Sequence, residues 1–216
     1  MNYRKNPLVN DCLYHIYSKS IASFVIFNFT DDYKRMIKLI DFYRFQNNFR
    51  FSMVNSGQIK NYSSFSSKLV QIVAYCLMPT HIHLLLKQLE CNGITKFMGN
   101  VLNSYSKYFN IKHKRKGPLW ESHFKNALIE SNEQLLHLTR YIHLNPTTAF
   151  LVNKPEDWQY SSYTEFLNTN NDRLSEYEDI LEINPQDYQL FVNDNLNYQR
   201  ELAKIKKTVI ETNLTP

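Results

Sequence analysis

Residues 69–87 read LVQIVAYCLMPTHIHLLLK, two apolar runs on either side of Met78-Pro79-Thr80. Their β-branched and aromatic residues favour a pleated surface, so the pattern predicts strands over 69–77 and 81–87. Proline cannot donate to a central ladder, which places a break between the two runs. The stretch therefore predicts a strand–turn–strand unit.

Further elements precede this unit. Residues 13–18 (LYHIYS) are typical of a first strand. Thr30 is a candidate N-cap, and helical spacing of apolar residues follows it to about residue 46. Residues 49–54 predict a short strand, and the Ser- and Asn-rich residues 55–68 predict a loop.

A second series of elements follows the unit. Apolar residues between 94 and 109 recur at helical spacing and predict a long amphipathic helix. Residues 124–130 predict a strand. Ser131 and Gln134 form a capping-box pattern that opens another helix, which we expect Pro146 to end. The order strand–helix–strand–strand–helix–strand predicts an α+β fold, a ferredoxin-like sandwich with a central antiparallel sheet and packed helices.

Composition excludes several classes of protein. The 216 residues are 43% hydrophobic and 21% charged, which suits a chain that buries a core. Only four glycines occur, and no glycine-rich phosphate loop is present. The three cysteines form no CxxC pair, so we expect reduced thiols, a cytoplasmic protein and no cysteine-based zinc site. No apolar run is long enough to predict a membrane span.

Charge is distributed unevenly along the chain. Residues 1–160 carry 20 Lys and Arg against 10 Asp and Glu, whereas residues 161–216 carry 5 against 10. A basic body favours a polyanionic partner, nucleic acid first. The acidic part either lies across the basic surface or is solvated. We expect a main domain over 1–167 and an acidic, partly helical C-terminal extension over 168–216.

The pair His81-Ile82-His83 is the first candidate for chemistry. Alternate residues of a strand point the same way, so both imidazoles lie on one face and could share a divalent metal ion. Such pairs are often incidental. Here they interrupt an otherwise apolar run, which favours a function.

Tyr141 and Asn145 form the second candidate. Residues four apart share one face of a helix, so these two side chains lie together, while His143 points to the other side. A tyrosine at the edge of the core and a helix-ending asparagine would give the same pattern.

Cations with interleaved aromatic residues form the third candidate. They suit a nucleic-acid backbone and unstacked bases, although charge runs are often only solvated turns. The residues are Lys107, Lys112, Lys114, Arg115, Lys116, Trp120, Lys125 and, further on, Arg140.

Several ordered motifs together resemble the HUH single-tyrosine transposases, which act on single-stranded DNA and include the REP-associated tyrosine transposases. The motifs span roughly residues 10–166. They are YCLMPTHIHLLL (75–86), NSYSKYFN (103–110), GPLWE (117–121), RYIHLNP (140–146) and WQYSSY (158–163). Thr80 stands where asparagine is common, and His123 where we expect arginine.

The resemblance implies a role for each matching residue. His81 and His83 would bind a metal ion, Asn145 would complete that site, and Tyr141 would be the nucleophile. Mixed imidazole and amide ligands favour Mg²⁺ or Mn²⁺, of which Mn²⁺ tolerates imidazole better. The implied activity is metal-dependent cleavage and rejoining of single-stranded DNA through a 5′-phosphotyrosine.

The resemblance also implies the partner, the oligomeric state and the cellular location of the protein. We expect single-stranded or hairpin DNA as partner, no membrane, a monomer or homodimer, and a nucleoid-associated place in the cytoplasm. The alternative is a domesticated nucleic-acid-binding module that no longer cuts. A third possibility is a different HxH phosphoesterase or a zinc deaminase, but the HxE and PCxxC motifs that the deaminase needs are absent.

Overall fold

The computed structural model describes residues 7–47, 49–53, 67–168 and 173–203. Its strands are β1 (Leu13–Lys19), β2 (Val70–Met78), β3 (His81–Gln88) and β4 (Lys125–Leu128). Its helices are α1 (Thr30–Tyr43), α2 (Gly93–Lys112), α3 (Asn132–Thr148), α4 (Tyr163–Leu167) and α5 (Pro185–Asn193). Residues 196–203 are also helical. Among the described residues, no helix is long and apolar enough to cross a membrane.

The four strands form one antiparallel sheet in the order β2-β3-β1-β4. The connection between β2 and β3 is a tight turn at residues 79–80, where the break is predicted. Together with the element order, this strand order is that of a ferredoxin-like sandwich. The predicted α+β fold is confirmed.

The register gives the sheet two different faces. Antiparallel partners share a face, so His83 lies beside Tyr17 and His81 lies beside Lys19. The opposite face carries Ile82, Leu84 and Leu86, which are buried under α1 and α2. A bulge between Ile72 and Ala74 turns Val73 as well as Ala74 towards α3. Core side chains cover both faces of β2, so every residue of this strand is buried.

Two of the predicted local features in the N-terminal half are wrong. Phe29, rather than Thr30, is the N-cap residue of α1, and the Asp32 carboxylate accepts the backbone N–H groups of Asn28 and Phe29 just before the helix. Phe51–Met53 form a single 3-10 turn in place of the predicted strand over 49–54. Most of the predicted loop over 55–68 lies outside the described residues.

Helix α3 begins as predicted and ends later than predicted. The Ser131 hydroxyl accepts the N–H of Gln134 at 3.1 Å, and the Gln134 side chain accepts the N–H of Glu130 at 2.8 Å. Pro146 lies inside the helix, which continues to Thr148. Proline removes its own N–H donor and crowds the carbonyl four residues earlier, but the residues after it keep their N–H groups, and Ala149 N–H donates to the Asn145 carbonyl.

The described part of the C-terminal extension packs against the main domain. Its apolar side chains join the core beneath α3 and α4; Tyr177, Leu181, Tyr188 and Val192 are buried there. The Arg200 guanidinium donates to three backbone carbonyls at or just after the end of α3, those of Thr147, Val152 and Asn153. The division of the chain at residue 167 stays a prediction.

Charge also ties the extension to the end of α1 and to the residues just before β2. The Glu176 carboxylate lies 2.8 Å from the Lys68 ammonium and 3.1 Å from the Arg44 guanidinium. The acidic segment therefore meets basic residues at this point, while its apolar residues enter the core.

His143 connects α3 to α5 and to the residue that precedes α4. Its Nδ1 lies 2.7 Å from the Tyr188 hydroxyl, and its Nε2 lies 2.8 Å from the Ser162 hydroxyl. The ring is completely buried. Burial lowers the pKa of His143 from 6.5 to about 3, so the ring is neutral at physiological pH. As expected, it points away from Tyr141 and into the core.

We predict that Tyr188→Phe destabilises the protein. The substitution removes the hydroxyl partner of a buried imidazole nitrogen, which costs about 1–3 kcal/mol. Urea unfolding of the wild type and the variant measures this loss of stability. Tyr198→Phe is the matched control because Tyr198 is 60% exposed. Equal stabilities of the two variants would show that the hydrogen bond between Tyr188 and His143 does not stabilise the fold.

We also predict that the protein loses stability as the pH falls from 7.5 to 5. The folded pKa of His143 lies below its unfolded value, so only the unfolded chain takes up this proton. The loss begins near the unfolded pKa of 6.5 and reaches about 2 kcal/mol for this group at pH 5. Urea unfolding at several pH values in this range tests the prediction. The free energy of unfolding should fall less steeply with decreasing pH in His143→Gln than in the wild type. Equal slopes would contradict the prediction.

Candidate active site

His81 and His83 project from one face of β3, as the sequence predicts, and α3 packs on that face. Their ring centroids are 5.0 Å apart. His83 is only 5% exposed, whereas His81 is half-buried at the end of the strand. The two imidazoles therefore lie at the boundary between the core and the solvent.

Both histidines have their Nδ1 atom engaged by the protein. Nδ1 of His81 lies 3.0 Å from the Thr80 hydroxyl, and Nδ1 of His83 lies 2.9 Å from Nε2 of His15. In each ring Nε2 is the remaining nitrogen. A metal-binding histidine commonly has its ring nitrogens divided in this way, one for the protein and one for the ion.

His15 is a residue that the sequence analysis does not identify. It lies on β1, on the same face as Tyr17 and Lys19. Side chains alternate along residues 13–19 (LYHIYSK), so the sequence is sufficient to predict that His15 shares a face with Tyr17 and Lys19. Its proximity to His83 depends on the register of β1 against β3, which the sequence does not reveal.

Burial keeps these imidazoles neutral. Desolvation lowers the pKa of His15 and of His81 to about 4. It lowers the pKa of His83 to about 2, with smaller contributions from His81, His15 and the Lys19 ammonium. A neutral imidazole offers a free lone pair, which a metal ion requires.

Helix α3 brings Tyr141 to this histidine pair. The Tyr141 ring meets His83 edge-on at 5.8 Å and His15 edge-on at 6.4 Å between centroids. Leu135 and Ile142 on the neighbouring stripe are buried and hold the helix on the sheet. Tyr141 itself is 47% exposed, so a large substrate can reach it.

Asn145 follows one turn later on the same side of α3. Its side chain is half-buried, and its amide donates to the Tyr141 carbonyl at 3.4 Å. Within the described ranges, no group of three or more His, Cys, Asp or Glu side chains could hold a metal ion. A site on His81 and His83 therefore needs a ligand of another kind, and the amide oxygen of Asn145 is chemically suitable. Two neutral imidazoles and an amide suit Mn²⁺ or Mg²⁺.

Tyr17 is a second tyrosine close to the histidines. Its ring lies 6.1 Å from His83 and 5.3 Å from His15 between centroids. It is half-buried on β1. Tyr105, by contrast, is buried on the opposite face, where its hydroxyl donates to the Ile26 carbonyl.

Two lysines lie on the same face as the histidines. Lys125 on β4 is paired with Tyr17, which is paired in turn with His83. Lys19 is paired with His81 and is exposed. Lys125 is among the predicted DNA contacts, whereas Lys19 is not. Both cations can attract a phosphate to the site.

Four of the predicted DNA contacts have partners within the protein. Lys112 pairs with Asp32 at 2.6 Å, and the Arg115 guanidinium bonds to the Asn110 side chain and the Pro118 carbonyl. The Trp120 indole donates to the Leu102 carbonyl, and Arg140 donates to the Phe191 carbonyl of α5. These side chains stabilise the fold. Their roles as DNA contacts stay predictions.

The remaining three cations are exposed. Lys107 lies on α2, and Lys114 and Lys116 lie in the turn that follows it. Backbone bonds join the end of this turn to the end of β1, from Ile21 N–H to Leu119 and from Glu121 N–H to Lys19. The basic turn therefore lies near the His81 end of the sheet.

Comparisons with known proteins find similarity to transposases. A family model described as IS200-like transposase matches residues 43–145. A curated relative from Haemophilus influenzae, named as a REP-associated tyrosine transposase, is 28% identical over 105 residues. That match covers 43% of this chain and 58% of the relative.

A solved structure shares the fold. It is described as a REP-associated tyrosine transposase bound to a REP hairpin, and it matches with a TM-score of 0.54 and 15% identity. The match covers 86% of this chain and 96% of the solved chain. The family model spans residues 43–145, which carry both histidines and extend to Asn145, so this part of the chain is similar to the IS200-like transposases.

Proposed function

We propose that this protein cuts and rejoins single-stranded DNA through a covalent 5′-phosphotyrosine on Tyr141, as a transposase or a REP-associated transposase. One observation carries the proposal: the half-exposed Tyr141 ring lies 5.8 Å from His83 on the face that also carries His81. A nucleophile beside two neutral imidazoles is suited to metal-assisted phosphoryl transfer.

His81, His83 and Asn145 would hold the metal ion, Mg²⁺ or Mn²⁺. When bound, the ion supplies Lewis acidity that polarises a non-bridging phosphate oxygen. The protein contributes two rings whose Nδ1 atoms are already engaged, by Thr80 and by His15. Because these contacts already orient the two rings, the rings lose less orientational freedom when the ion binds.

Cleavage exchanges one phosphate ester for another. The Tyr141 hydroxyl loses its proton and its oxygen bonds to the phosphorus, while the bond from phosphorus to the 3′ oxygen of the DNA breaks. That oxygen leaves with a proton as a free 3′-OH. The new ester retains the energy of the phosphodiester, so a 3′-OH can rejoin the strand without a nucleotide cofactor.

The surroundings of the site suit an anionic strand. Lys19 and Lys125 flank the histidine pair on the sheet, and the basic turn lies near the His81 end. We propose single-stranded or hairpin DNA as the partner and a nucleoid-associated place in the cytoplasm. The hairpin in the structurally similar protein supports this choice of substrate.

We predict that Tyr141→Phe abolishes the covalent adduct. The substitution keeps the ring but removes the attacking oxygen, so DNA binding should remain. The assay incubates the protein with single-stranded oligonucleotides and Mn²⁺ and separates denatured products on a gel. Tyr17→Phe is the matched control, because Tyr17 also lies beside His83.

The comparison of the two variants decides the assignment. Adduct from Tyr17→Phe and none from Tyr141→Phe supports Tyr141 as the nucleophile. The reverse result would identify Tyr17 and contradict the assignment. A wild-type protein that binds DNA but forms no adduct with any oligonucleotide would support the non-cleaving binding module.

We also predict tighter binding to single-stranded or hairpin DNA than to blunt duplex. Exposed rings lie beside cations near the basic turn: Phe24 is 48% exposed under Arg115, and Phe29 is 63% exposed under Lys112. Unstacked bases can reach such rings, at about 1–3 kcal/mol per stacked base. Fluorescence anisotropy across a salt series measures the difference. Equal affinity for a blunt duplex would count against this substrate.

A further inference from the structure

A directed hydrogen bond joins His15 on β1 to His83 on β3. Nε2 of His15 and Nδ1 of His83 are 2.9 Å apart, the ring planes differ by 14°, and the centroids are 5.1 Å apart. Rings stacked face to face would have closer centroids and no nitrogen aimed at a nitrogen. These values describe two rings that meet edge to edge in nearly one plane, the geometry of an N–H···N bond.

The pairing of the two strands produces this contact. Tyr17 is opposite His83 and His15 is opposite Leu85, so the two histidines are diagonal neighbours on one face. Diagonal partners across an antiparallel pair are within reach of long side chains. A shift by one residue would turn His15 to the opposite face of the sheet.

The bond has a consequence for the other nitrogen of His83. A neutral imidazole carries one hydrogen, so a ring that donates from Nδ1 has its lone pair on Nε2. His15 then accepts at Nε2 and carries its own hydrogen on Nδ1. We propose that His15 is a positioning residue that holds His83 in the Nδ1–H tautomer, with its Nε2 presented to the metal ion.

This inference rests on the proposed metal-dependent function and adds a residue to it. Thr80 provides a parallel within the same site, because its hydroxyl contacts Nδ1 of His81 at 3.0 Å. His15 is not itself assigned as a ligand, because its Nε2 is committed to His83. Loss of such a supporting contact typically lowers metal affinity about 10–100-fold.

The test uses the full chain and two readouts besides activity. Long-range ¹H–¹⁵N NMR of the metal-free protein reports the tautomer of His83, and titration followed by electron paramagnetic resonance reports Mn²⁺ affinity. We expect a single Nδ1–H tautomer in the wild type. His15→Phe, which keeps a ring but no acceptor, should show mixed tautomers and about 10–100-fold weaker Mn²⁺ binding.

Two further variants control the comparison. His15→Gln retains an acceptor oxygen and should recover a large part of the affinity, which a packing role alone does not predict. His137→Phe replaces an exposed histidine of α3 outside the site and should match the wild type. If His15→Phe keeps both the tautomer and the affinity, or if the wild type has His83 protonated on Nε2, the inference is overturned. Direct coordination of Zn²⁺ by His15, seen as a ¹⁵N shift of its ring, also overturns it.

The covalent-adduct assay separates this inference from the proposed function. Adduct formation together with an unaffected His15→Phe overturns the inference alone. Predicted tautomer and affinity changes without any adduct support the role of His15 and contradict the cleavage reaction. A wild type that binds no Mn²⁺ overturns both.

Discussion

The antiparallel pairing of β1 with β3 is the constraint on which the candidate site depends. It places Tyr17 beside His83 and Lys19 beside His81, and it brings His15 within hydrogen-bonding distance of His83. Because side chains alternate along a strand, the same register buries Ile82 and Leu84 on the opposite face. The hydrophobic pattern that fixes the fold therefore also fixes the orientation of the histidines.

Helix α3 completes the site by presenting two different sides. Tyr141 faces the histidine pair, and His143 enters the core between Tyr188 and Ser162. Arg140 bonds to α5, and Arg200 bonds to carbonyls at and beyond the end of α3. The position of Tyr141 thus depends on residues of the acidic extension, which lies outside the segment that the family model matches.

Local signals made much of this arrangement predictable. The alternation around His81 and His83, the capping box at Ser131 and the helical spacing from Tyr141 to Asn145 each involve residues close in sequence. The order of strands and helices was sufficient for the ferredoxin-like fold. The structure brings Tyr141 to His83, as the motif resemblance implies.

Features that depend on distant partners were not predictable. His15 reaches His83 only because two strands far apart in sequence pair. Lys112 and Arg140 are part of the basic pattern, yet Asp32 and the Phe191 carbonyl engage them. The sequence predicts that Pro146 ends α3, but the helix continues to Thr148, and Arg200 of the extension donates to the Thr147 carbonyl there. In each case a contact between remote segments outweighs the local preference.

The most direct test of the account is to identify the amino acid that carries the DNA. Wild-type protein is incubated with single-stranded oligonucleotides and Mn²⁺, digested with nuclease and protease, and analysed by tandem mass spectrometry. The account predicts a nucleotide linked through its 5′ phosphate to Tyr141. A nucleotide on Tyr17, or on any other residue, would contradict the assignment of the active site.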